Sequence, residues 1–508
     1  MTASSSTHEL LERGAASACA ISAPERPDCT FGELCAQVDR TVRALNALGI
    51  GRNDPVAIVL PNGPEMASAF VAVATAATSA PLNPAYRADE FDFYLTDLEA
   101  KLLVVAAGVE TPARDVAARR GIPVAELVVD PLKPAGTFDL SGAARLGPAA
   151  RGGTAGPDDV ALVLHTSGTT SQPKIVPLTQ RNVCASAANV AASIALEAAD
   201  RCLNVMPLFH IHGLIAAVLA SLHAGASIYC TPGFNALRFY AWLDHASPTW
   251  YTAVPTMHQA ILERAGRNAE AVSRARLRLV RSSSASLPPQ VMASLEETFG
   301  APVIEAYGMT EAAHQMASNP LPPRPRKPGS VGVAAGPDVA IMDEAGNLLA
   351  TGATGEVVIR GANVTAGYRN NLDANATAFS SGWFRTGDQG VMDEDGYLRL
   401  TGRLKEIINR GGEKISPREV DEILLDHPDV RQAVTFAVPH PKLGEDVAAA
   451  VVLRDGASVT ERQIREFVAE RLADFKVPRR IVVLDEIPKG PTGKLQRIGL
   501  AEKLGLTS

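Results

Sequence analysis

The chain has 508 residues, of which 46% are hydrophobic and 20% charged, and a formal net charge of −7. This composition is typical of a soluble enzyme, and the length allows roughly three domains' worth of core. The acidic balance excludes a general nucleic-acid-binding protein, which would carry a basic excess. Six cysteines are scattered without a C-x-x-C pair, so we expect neither a zinc site nor a disulfide scaffold, and a cytoplasmic location.

No segment of the sequence predicts export or membrane insertion. The first residues lack the basic region and the apolar core of a signal peptide. The longest apolar stretches, residues 66–80 and 213–230, are alanine-rich and contain Ser or His. Each of them therefore predicts a buried helix followed by a strand, and we expect no membrane span.

Short apolar runs alternate with helix-like segments over residues 1–310. The runs predicted as buried strands are residues 56–60, 101–107, 160–164, 202–206, 226–230, 250–254, 277–281 and 302–305. The predicted helices between them include residues 63–78, 179–197 and 288–299. Such alternation predicts parallel sheets covered by helices on both faces, with ligands at the carboxyl ends of the strands.

The rest of the chain has a different pattern, which predicts antiparallel strands and a smaller terminal unit. The elements predicted there are strands at residues 355–360, 397–400, 433–438 and 447–453 and an amphipathic helix at 461–475. Ile464, Phe467, Val468 and Leu472 fall on one face of this helix.

The loop that follows the predicted strand at 160–164 has the sequence TSGTTSQPK, residues 166–174. Five hydroxyl side chains, one glycine and a lysine in these nine residues suit a polyphosphate. Hydroxyls and backbone N–H groups can surround the phosphate oxygens while the lysine adds positive charge. The loop is not a P-loop, since it has one glycine and no Ser or Thr after Lys174. Taken alone, it also fits a solvated turn.

Four further motifs follow the loop along the chain. They are YGMTE at 307–311, WFRTGD at 383–388, GRLKE at 402–406 and PTGK at 491–494. Together with the loop they resemble, in order, the five signatures of the adenylate-forming superfamily. This superfamily includes acyl-CoA synthetases, luciferase and the adenylation domains of peptide synthetases.

The resemblance implies an α/β fold with two domains. Residues 1–402 would form a large N-terminal domain of parallel-rich sheets flanked by helices, with a β-barrel-like part, that binds ATP and the acid. Residues 403–508 would form a small, mobile α+β domain that carries the catalytic lysine. The active site would lie between the two domains.

The resemblance also implies a two-step reaction with ATP, Mg²⁺ and coenzyme A. A carboxylate attacks the α-phosphate of ATP to give acyl-AMP and pyrophosphate, and the CoA thiol then displaces AMP. Catalysis would rest on positioning and charge stabilisation. Lys494 would lie between the carboxylate and the α-phosphate, which Thr310 would also contact. Glu311 is the expected Mg²⁺ ligand, or alternatively an acid that stabilises a helix N-terminus.

The remaining signature residues are expected to bind the nucleotide and CoA. Tyr307 would lie near the adenine, and Asp388 would accept the ribose hydroxyls with help from Arg403. Lys405 lies where the family turns its small domain. The phosphate contacts are expected from Thr166, Ser167, Gly168, Thr169, Thr170 and Lys174. Gly411 and Gly412 would let the pantetheine arm pass, although a simple turn fits these glycines nearly as well.

The acid pocket is expected to be polar. Residues 207–213 (PLFHIHG) resemble the family segment beside the acyl pocket, which makes His210 a catalytic candidate and His212 a substrate contact. This segment contains no aspartate to hold an amino group, which disfavours an amino acid. Ser283, Ser284 and His314 add further polar groups. They favour a small dicarboxylate, because burying a second carboxylate without donors costs several kcal/mol.

Two strings, RSSSASL at 281–287 and EAYGMTEAAHQ at 305–315, resemble those of oxalate–CoA ligases and favour oxalate. Alternatively, the serines cap the helix near residue 288 and the histidines are core groups, and the acid is a medium-chain or aromatic carboxylate. A nucleotide-binding sensor without catalysis is a second alternative, against which Lys494, Glu311 and Asp388 speak. The sequence leaves the oligomeric state open.

Overall fold

The computed structural model describes residues 4–166, 173–489 and 495–506. In chain order the strands are β1 (Cys19–Ser22), β2 (Cys29–Thr30), β3 (Pro55–Val59), β4 (Thr78–Pro81), β5 (Leu102–Ala106), β6 (Val124–Val128), β7 (Asp139–Ser141), β8 (Val160–Thr166), β9 (Lys174–Thr179), β10 (Arg201–Asn204), β11 (Ser227–Cys230), β12 (Trp250–Ala253), β13 (Leu279–Ser282), β14 (Val303–Met309), β15 (His314–Ser318), β16 (Val333–Ala334), β17 (Asp338–Met342), β18 (Thr354–Arg360), β19 (Phe379–Ser380), β20 (Trp383–Met392), β21 (Leu398–Arg403), β22 (Ile408–Arg410), β23 (Glu413–Ile415), β24 (Val430–His440), β25 (Gly444–Leu453) and β26 (Arg480–Val483).

The α-helices are α1 (Thr7–Leu11), α2 (Phe31–Leu48), α3 (Pro64–Ala76), α4 (Ala88–Asp97), α5 (Pro112–Arg120), α6 (Gln180–Ser193), α7 (Ala220–His223), α8 (Phe239–Ala246), α9 (Pro255–Ala265), α10 (Ala269–Arg274), α11 (Pro289–Phe299), α12 (Leu372–Ala378), α13 (Pro417–Leu425), α14 (Glu461–Ala469) and α15 (Leu500–Lys503). A π-helix covers His212–Leu219, and short 3₁₀ helices cover Gly266–Asn268, Thr310–Ala312 and Asp474–Lys476.

Two large, mostly parallel sheets contain the strands up to β16. One sheet has the order β7-β6-β5-β3-β4-β8-β9, and the other has the order β16-β15-β14-β13-β12-β10-β11-β1-β2. Antiparallel pairs occur only near their edges, as between β8 and β9 and between β14 and β15. All the strands predicted before residue 310 are present, although β14 runs on to Met309. The α/β prediction for this part of the chain is confirmed.

Helix α3 lies between the two sheets. It contacts β4 and β8 of one sheet and β11 of the other. Every residue of α3 except Glu65 is buried, as expected for a helix that is apolar on all sides. The prediction of a buried helix and strand in this alanine-rich stretch is confirmed. Among the described residues, no helix is both long and apolar enough to cross a membrane.

A third sheet, of strands β17–β21, is antiparallel and curled. It corresponds to the part that was predicted to be barrel-like. Its strand β20 contains Asp388 and its strand β21 ends at Arg403, and these two residues are register partners. The curled sheet thus brings two of the expected nucleotide contacts side by side.

The C-terminal part contains a fourth sheet, of strands β22–β26, covered by α13 and α14. The helix predicted at residues 461–475 is too long, because α14 ends at Ala469 and a 3₁₀ turn follows at Asp474–Lys476. Leu472 and Phe475 nevertheless pack against the core that contains Ile464. The apolar residues that were predicted to continue the helix therefore reach the core from the turn that follows it.

Glu305, on β14, is a buried carboxylate that faces the charged side chains of α13. Its Oε1 accepts the backbone N–H of Leu287 at 3.0 Å, whereas its Oε2 has no hydrogen-bond partner among the described residues. Burial raises the pKa of Glu305 to about 7, against the opposing effect of Arg418 and with a further increase from Glu422.

We expect Glu305→Gln to stabilise the protein at alkaline pH. In the unfolded chain this carboxyl has a pKa near 4.5, so its ionisation opposes folding above about pH 7. This cost disappears as the pH falls from 7 towards 4.5, and the difference in pKa corresponds to about 3 kcal/mol at most. Melting temperatures at pH 8 and pH 5.5 test this, with the exposed Glu297→Gln as control. A gain in Tm at pH 8 that persists unchanged at pH 5.5 would contradict it.

Candidate active site

Asp388, the expected ribose contact, bonds to residues of two other strands, and we call this group the expected nucleotide side of the site. The hydroxyl of Tyr307 donates to its Oδ2 at 2.5 Å, and Nε of Arg403 donates to its Oδ1 at 2.9 Å. Asp388 and Tyr307 are buried, whereas the Arg403 side chain is 45% exposed. Each carboxylate oxygen keeps a second lone pair, so Asp388 can still accept the hydroxyls of a ribose.

The Asp388 carboxylate raises the pKa values of both its partners. The Asp388 carboxylate is the main reason that the pKa of Arg403 is raised. Burial, followed by the charge of Asp388, raises the pKa of Tyr307 well above its usual value. Tyr307 is therefore a neutral hydrogen-bond donor, and Arg403 is a permanent cation.

A turn before Asp388 sets the direction of its side chain. Thr386 donates its hydroxyl proton to the carbonyl of Val357 at 2.7 Å and accepts the backbone N–H of Asp388 at 3.1 Å. Gly387 has a φ of 73°, in the left-handed region where glycine carries no Cβ penalty. Its N–H donates to Oε1 of Glu356 at 2.8 Å. Thr386 and Gly387 thus form the turn that orients Asp388, which explains the T-G-D part of the motif.

Lys174, Tyr368 and Glu311 are in contact where the phosphates are expected. Nζ of Lys174 lies 4.6 Å from the centre of the Tyr368 ring, and the Tyr368 hydroxyl donates to Oε1 of Glu311 at 2.8 Å. Lys174 is also the register partner of Thr166 across β8 and β9. The two ends of the phosphate loop therefore lie close to the expected metal ligand. Tyr368 belongs to none of the motifs and was missed.

The predicted loop residues between these ends are Ser167, Gly168, Thr169 and Thr170, and they lie outside the described residues. Lys494 also lies outside them. Thr310 begins the 3₁₀ turn that contains Glu311, so the structure keeps these two residues adjacent.

Glu311 is held in a buried and electrostatically costly position. Burial raises its pKa, and the hydrogen bond from Tyr368 partly opposes this effect. The helical segment Thr310–Ala312 has only three residues, which is too short for the alternative that Glu311 stabilises a helix N-terminus. A buried carboxylate of this kind can bind a divalent cation.

Arg281, which the sequence motifs did not reveal, is the centre of the group of residues expected to bind the acid, which we call the expected acid side. It is completely buried at the end of β13. Its Nη2 donates to Nε2 of His314 at 3.0 Å and to Oε1 of Gln315 at 2.9 Å, and its Nη1 lies 3.4 Å from Nε2 of His212. The rings of His212 and His314 stack with their centres 4.9 Å apart.

The contacts of Arg281 determine where the histidine protons lie. Because Arg281 can only donate, Nε2 of His212 and of His314 must accept, and each neutral ring carries its proton on Nδ1. Nδ1 of His212 then donates to Oγ of Ser284 at 3.0 Å, while Oγ1 of Thr252 lies 2.6 Å from its Nε2. The Ser284 hydroxyl accepts from His212 and can donate its own proton to a ligand.

The Arg281 guanidinium lacks an anionic partner among the described residues. It forms no ion pair with a carboxylate there, and burial lowers its pKa to about 9. Its Nε also has no hydrogen-bond partner in the same part of the chain. Burying a cation in this way is costly unless an anion joins it. A negatively charged group beside Arg281 would offset this cost.

Ser283 and His210 bind the main chain. The buried Ser283 hydroxyl donates to the carbonyl of Ala306 at 2.9 Å and ties β13 to β14. His210 is half-buried before the π-helix, and its Nδ1 accepts the backbone N–H of His212 at 3.3 Å. The contacts that Ser283 and His210 are expected to make with the acid remain predictions.

Lys405, Gly411 and Gly412 lie in the segments that follow β21. Lys405 is exposed between β21 and β22. Gly411 and Gly412 form the turn between β22 and β23, with φ angles of 60° and 101°. The turn alone accounts for both glycines, and their contact with CoA stays a prediction.

Comparisons with known proteins show the family to which the chain belongs. Residues 12–369 match the family described as AMP-binding enzyme, and residues 419–494 match its C-terminal domain. The first match covers more than half of the chain, so the protein belongs to the AMP-binding enzyme family.

Two relatives and one solved structure are similar over nearly the whole chain. An oxalate–CoA ligase of Arabidopsis thaliana is 47% identical over 486 residues, which cover 94% of each protein. An oxalate–CoA ligase of Saccharomyces cerevisiae is 42% identical over 90% of this chain and 88% of its own. The crystal structure of ATP-bound MatB from Rhodopseudomonas palustris has a TM-score of 0.88 at 29% identity, with 98% of each chain covered.

Asp388→Asn should weaken ATP binding about 10- to 100-fold, because hydrogen bonds to a charged group contribute about 1.5–3 kcal/mol. The amide has the shape of the carboxylate but loses its charge and one acceptor. Calorimetric titration with ATP measures the change. The control is Asp393→Asn in the turn after β20, where a half-exposed pair with Lys327 should contribute little. Unchanged ATP affinity in Asp388→Asn would remove Asp388 from the nucleotide site.

Proposed function

We propose that the protein is an ATP-dependent acid–CoA ligase that converts oxalate into oxalyl-CoA through oxalyl-AMP, with release of AMP and pyrophosphate. Membership of the AMP-binding enzyme family supports the reaction class. The observation that carries oxalate is the buried Arg281 between His212 and His314, with no carboxylate partner among the described residues.

The acid side suits a small dianion for electrostatic reasons. One carboxylate of oxalate attacks ATP, and the other must stay charged inside the protein. Arg281 and the Ser284 hydroxyl can provide that second carboxylate with charge and hydrogen bonds. A fatty or aromatic acid would instead place an apolar group against an unpaired buried cation, which would cost several kcal/mol. The names of the two oxalate–CoA ligase relatives are consistent with this choice.

The first step depends on positioning the reactants and neutralising their charge. We propose that Tyr307 lies near the adenine and that Asp388 and Arg403 hold the ribose. Thr310, Lys174 and the loop at residues 166–170 would bind the phosphates. Lys494 would bring its ammonium between the attacking carboxylate and the α-phosphate.

Glu311 is the proposed ligand for Mg²⁺. Among the described residues no cluster of three or more metal-binding side chains occurs, which fits an ion bound by one or two carboxylates and by the substrate phosphates. The raised pKa of the buried Glu311 carboxyl is a cost that a divalent cation would offset. When bound, this ion would neutralise phosphate charge.

The second step requires CoA to reach the acyl group. We propose a boundary between residues 1–402 and 403–508, with Lys405 in the hinge and Gly411 and Gly412 beside the pantetheine arm. His210, His212 and Ser283 would border the acyl pocket. The six cysteines are free thiols, which supports the proposal that the reaction takes place in the reducing cytoplasm.

Lys494→Ala should slow adenylation about 10²–10³-fold, by analogy with the loss of one donor that stabilises a developing charge. Pyrophosphate–ATP exchange without CoA measures this step directly. Lys489→Ala is the matched control, because Lys489 is an exposed lysine five residues earlier in the sequence that pairs with Glu486. Adenylation at the wild-type rate in Lys494→Ala would refute the proposed role.

A carboxylate panel of oxalate, malonate, acetate, hexanoate and benzoate tests the substrate. Oxalate should give the highest kcat/KM. Arg281→Gln should lower kcat/KM for oxalate about 10²-fold or more, since it removes the partner of a buried charge, and should affect acetate far less. If hexanoate gave the best turnover, oxalate would be excluded as the substrate, but the assignment as an acid–CoA ligase would stand. Absence of pyrophosphate release with every acid would favour a nucleotide sensor.

A further inference from the structure

Arg497 lies three residues after Lys494 and binds three separate segments of the C-terminal part. Its Nη2 donates to Oδ2 of Asp421 on α13 at 2.7 Å, and its Nη1 donates to the carbonyl of Thr435 on β24 at 3.0 Å. Its Nε lies 3.3 Å from Oε2 of Glu406. Because a guanidinium is planar and rigid, three such contacts fix its orientation.

Asp421 and Thr435 close this set of contacts into a ring. Oδ1 of Asp421 accepts the backbone N–H of Thr435 at 2.5 Å, while its other oxygen accepts from Arg497. The side chains of Arg497, Asp421 and Glu406 are 20%, 12% and 21% exposed. Ion pairs this well shielded from water are stronger than those on an open surface.

The backbone just before Arg497 is fixed as well. The N–H of Gln496 donates to the carbonyl of Pro488 at 2.9 Å, and Leu495 forms an antiparallel bridge with Lys489. The residues from 495 to 497 are therefore held by main-chain bonds on one side and by the Arg497 side chain on the other.

Glu406 immediately follows Lys405, the expected hinge residue. We propose that Arg497 is a positioning residue that joins the segment of Lys494 to the chain leaving the hinge and to α13, so that the ammonium reaches the acid and the α-phosphate in the right place. This inference rests on the proposed function, which gives Lys494 its task in adenylation.

Loss of Arg497 should affect the two half-reactions differently. Adenylation needs the Lys494 ammonium, and a misplacement of about 1 Å can cost about 10²-fold in rate. Thioester formation from a ready-made acyl-adenylate does not use this ammonium in the proposed function. Loss of the Arg497 contacts should therefore slow the first half-reaction selectively, whereas general damage to the small domain would slow both.

The test measures pyrophosphate–ATP exchange without CoA, with the best acid of the panel, and thioester formation from a chemically synthesised acyl-adenylate and CoA. Arg497→Gln should lower exchange about 10²-fold and change thioester formation less than about threefold. Arg497→Lys keeps the charge, and its pyrophosphate exchange should be about tenfold faster than that of Arg497→Gln. Arg480→Gln, at an exposed arginine that begins β26, is the control and should match the wild type.

Hydrogen exchange gives a second readout that does not depend on activity. The Gln496 amide should exchange faster in Arg497→Gln than in Arg480→Gln, because the Arg497 anchor beside it is lost. Equal losses in both half-reactions, or unchanged pyrophosphate exchange, would overturn the inference.

If Arg497→Gln does not fold, Glu406→Gln decides the question, because it leaves the bond between Arg497 and Asp421 in place. Slower pyrophosphate exchange in this variant supports the link to the hinge, and wild-type exchange overturns it. Failure of the proposed function would be recognised separately, because the wild type itself would then show no pyrophosphate exchange with any acid.

Discussion

The hydrogen bonds of Asp388 to Tyr307 and Arg403 connect two sheets of the molecule. Asp388 lies in the curled sheet together with its register partner Arg403, which ends β21, and Tyr307 lies in the nine-stranded sheet. A nucleotide that binds Asp388, as proposed, would contact a group whose geometry depends on both sheets.

The acid side shows how an unfavourable interaction can produce specificity. A completely buried guanidinium bonded to neutral histidines and an amide, with no ion pair to a carboxylate in the described part of the chain, costs stability. In the proposed function, the same arrangement would favour an anion that brings its own charge and would disfavour an apolar tail. Specificity is a difference between affinities, so a penalty against the wrong acid would add to the attraction of the right one.

The nucleotide side could be predicted from sequence better than the acid side, because its residues occur in short contiguous motifs. Tyr307, Glu311 and Asp388 stand in such motifs, and the structure brings them near Arg403, Lys174 and Tyr368. Arg281 was missed because a single arginine at the end of an apolar strand resembles a surface residue. The available signal was its position at the carboxyl end of a predicted central strand, where ligands of parallel sheets collect. Its partners come from other strands, and no local pattern predicts such pairings.

The hairpin of β14 and β15 brings one segment to both expected sides of the site. Tyr307 contacts Asp388 and Glu311 contacts Tyr368, while His314 and Gln315 accept hydrogen bonds from Arg281. The turn between them requires a φ of 97° at His314, a left-handed conformation that costs about 1–3 kcal/mol for a residue other than glycine. A Cβ on Gly308 would lie 1.6 Å from the His314 carbonyl oxygen, so the glycine of the YGMTE motif is needed for this close approach. Gly308 and the left-handed conformation of His314 thus allow the tight hairpin that brings both groups of contacts together.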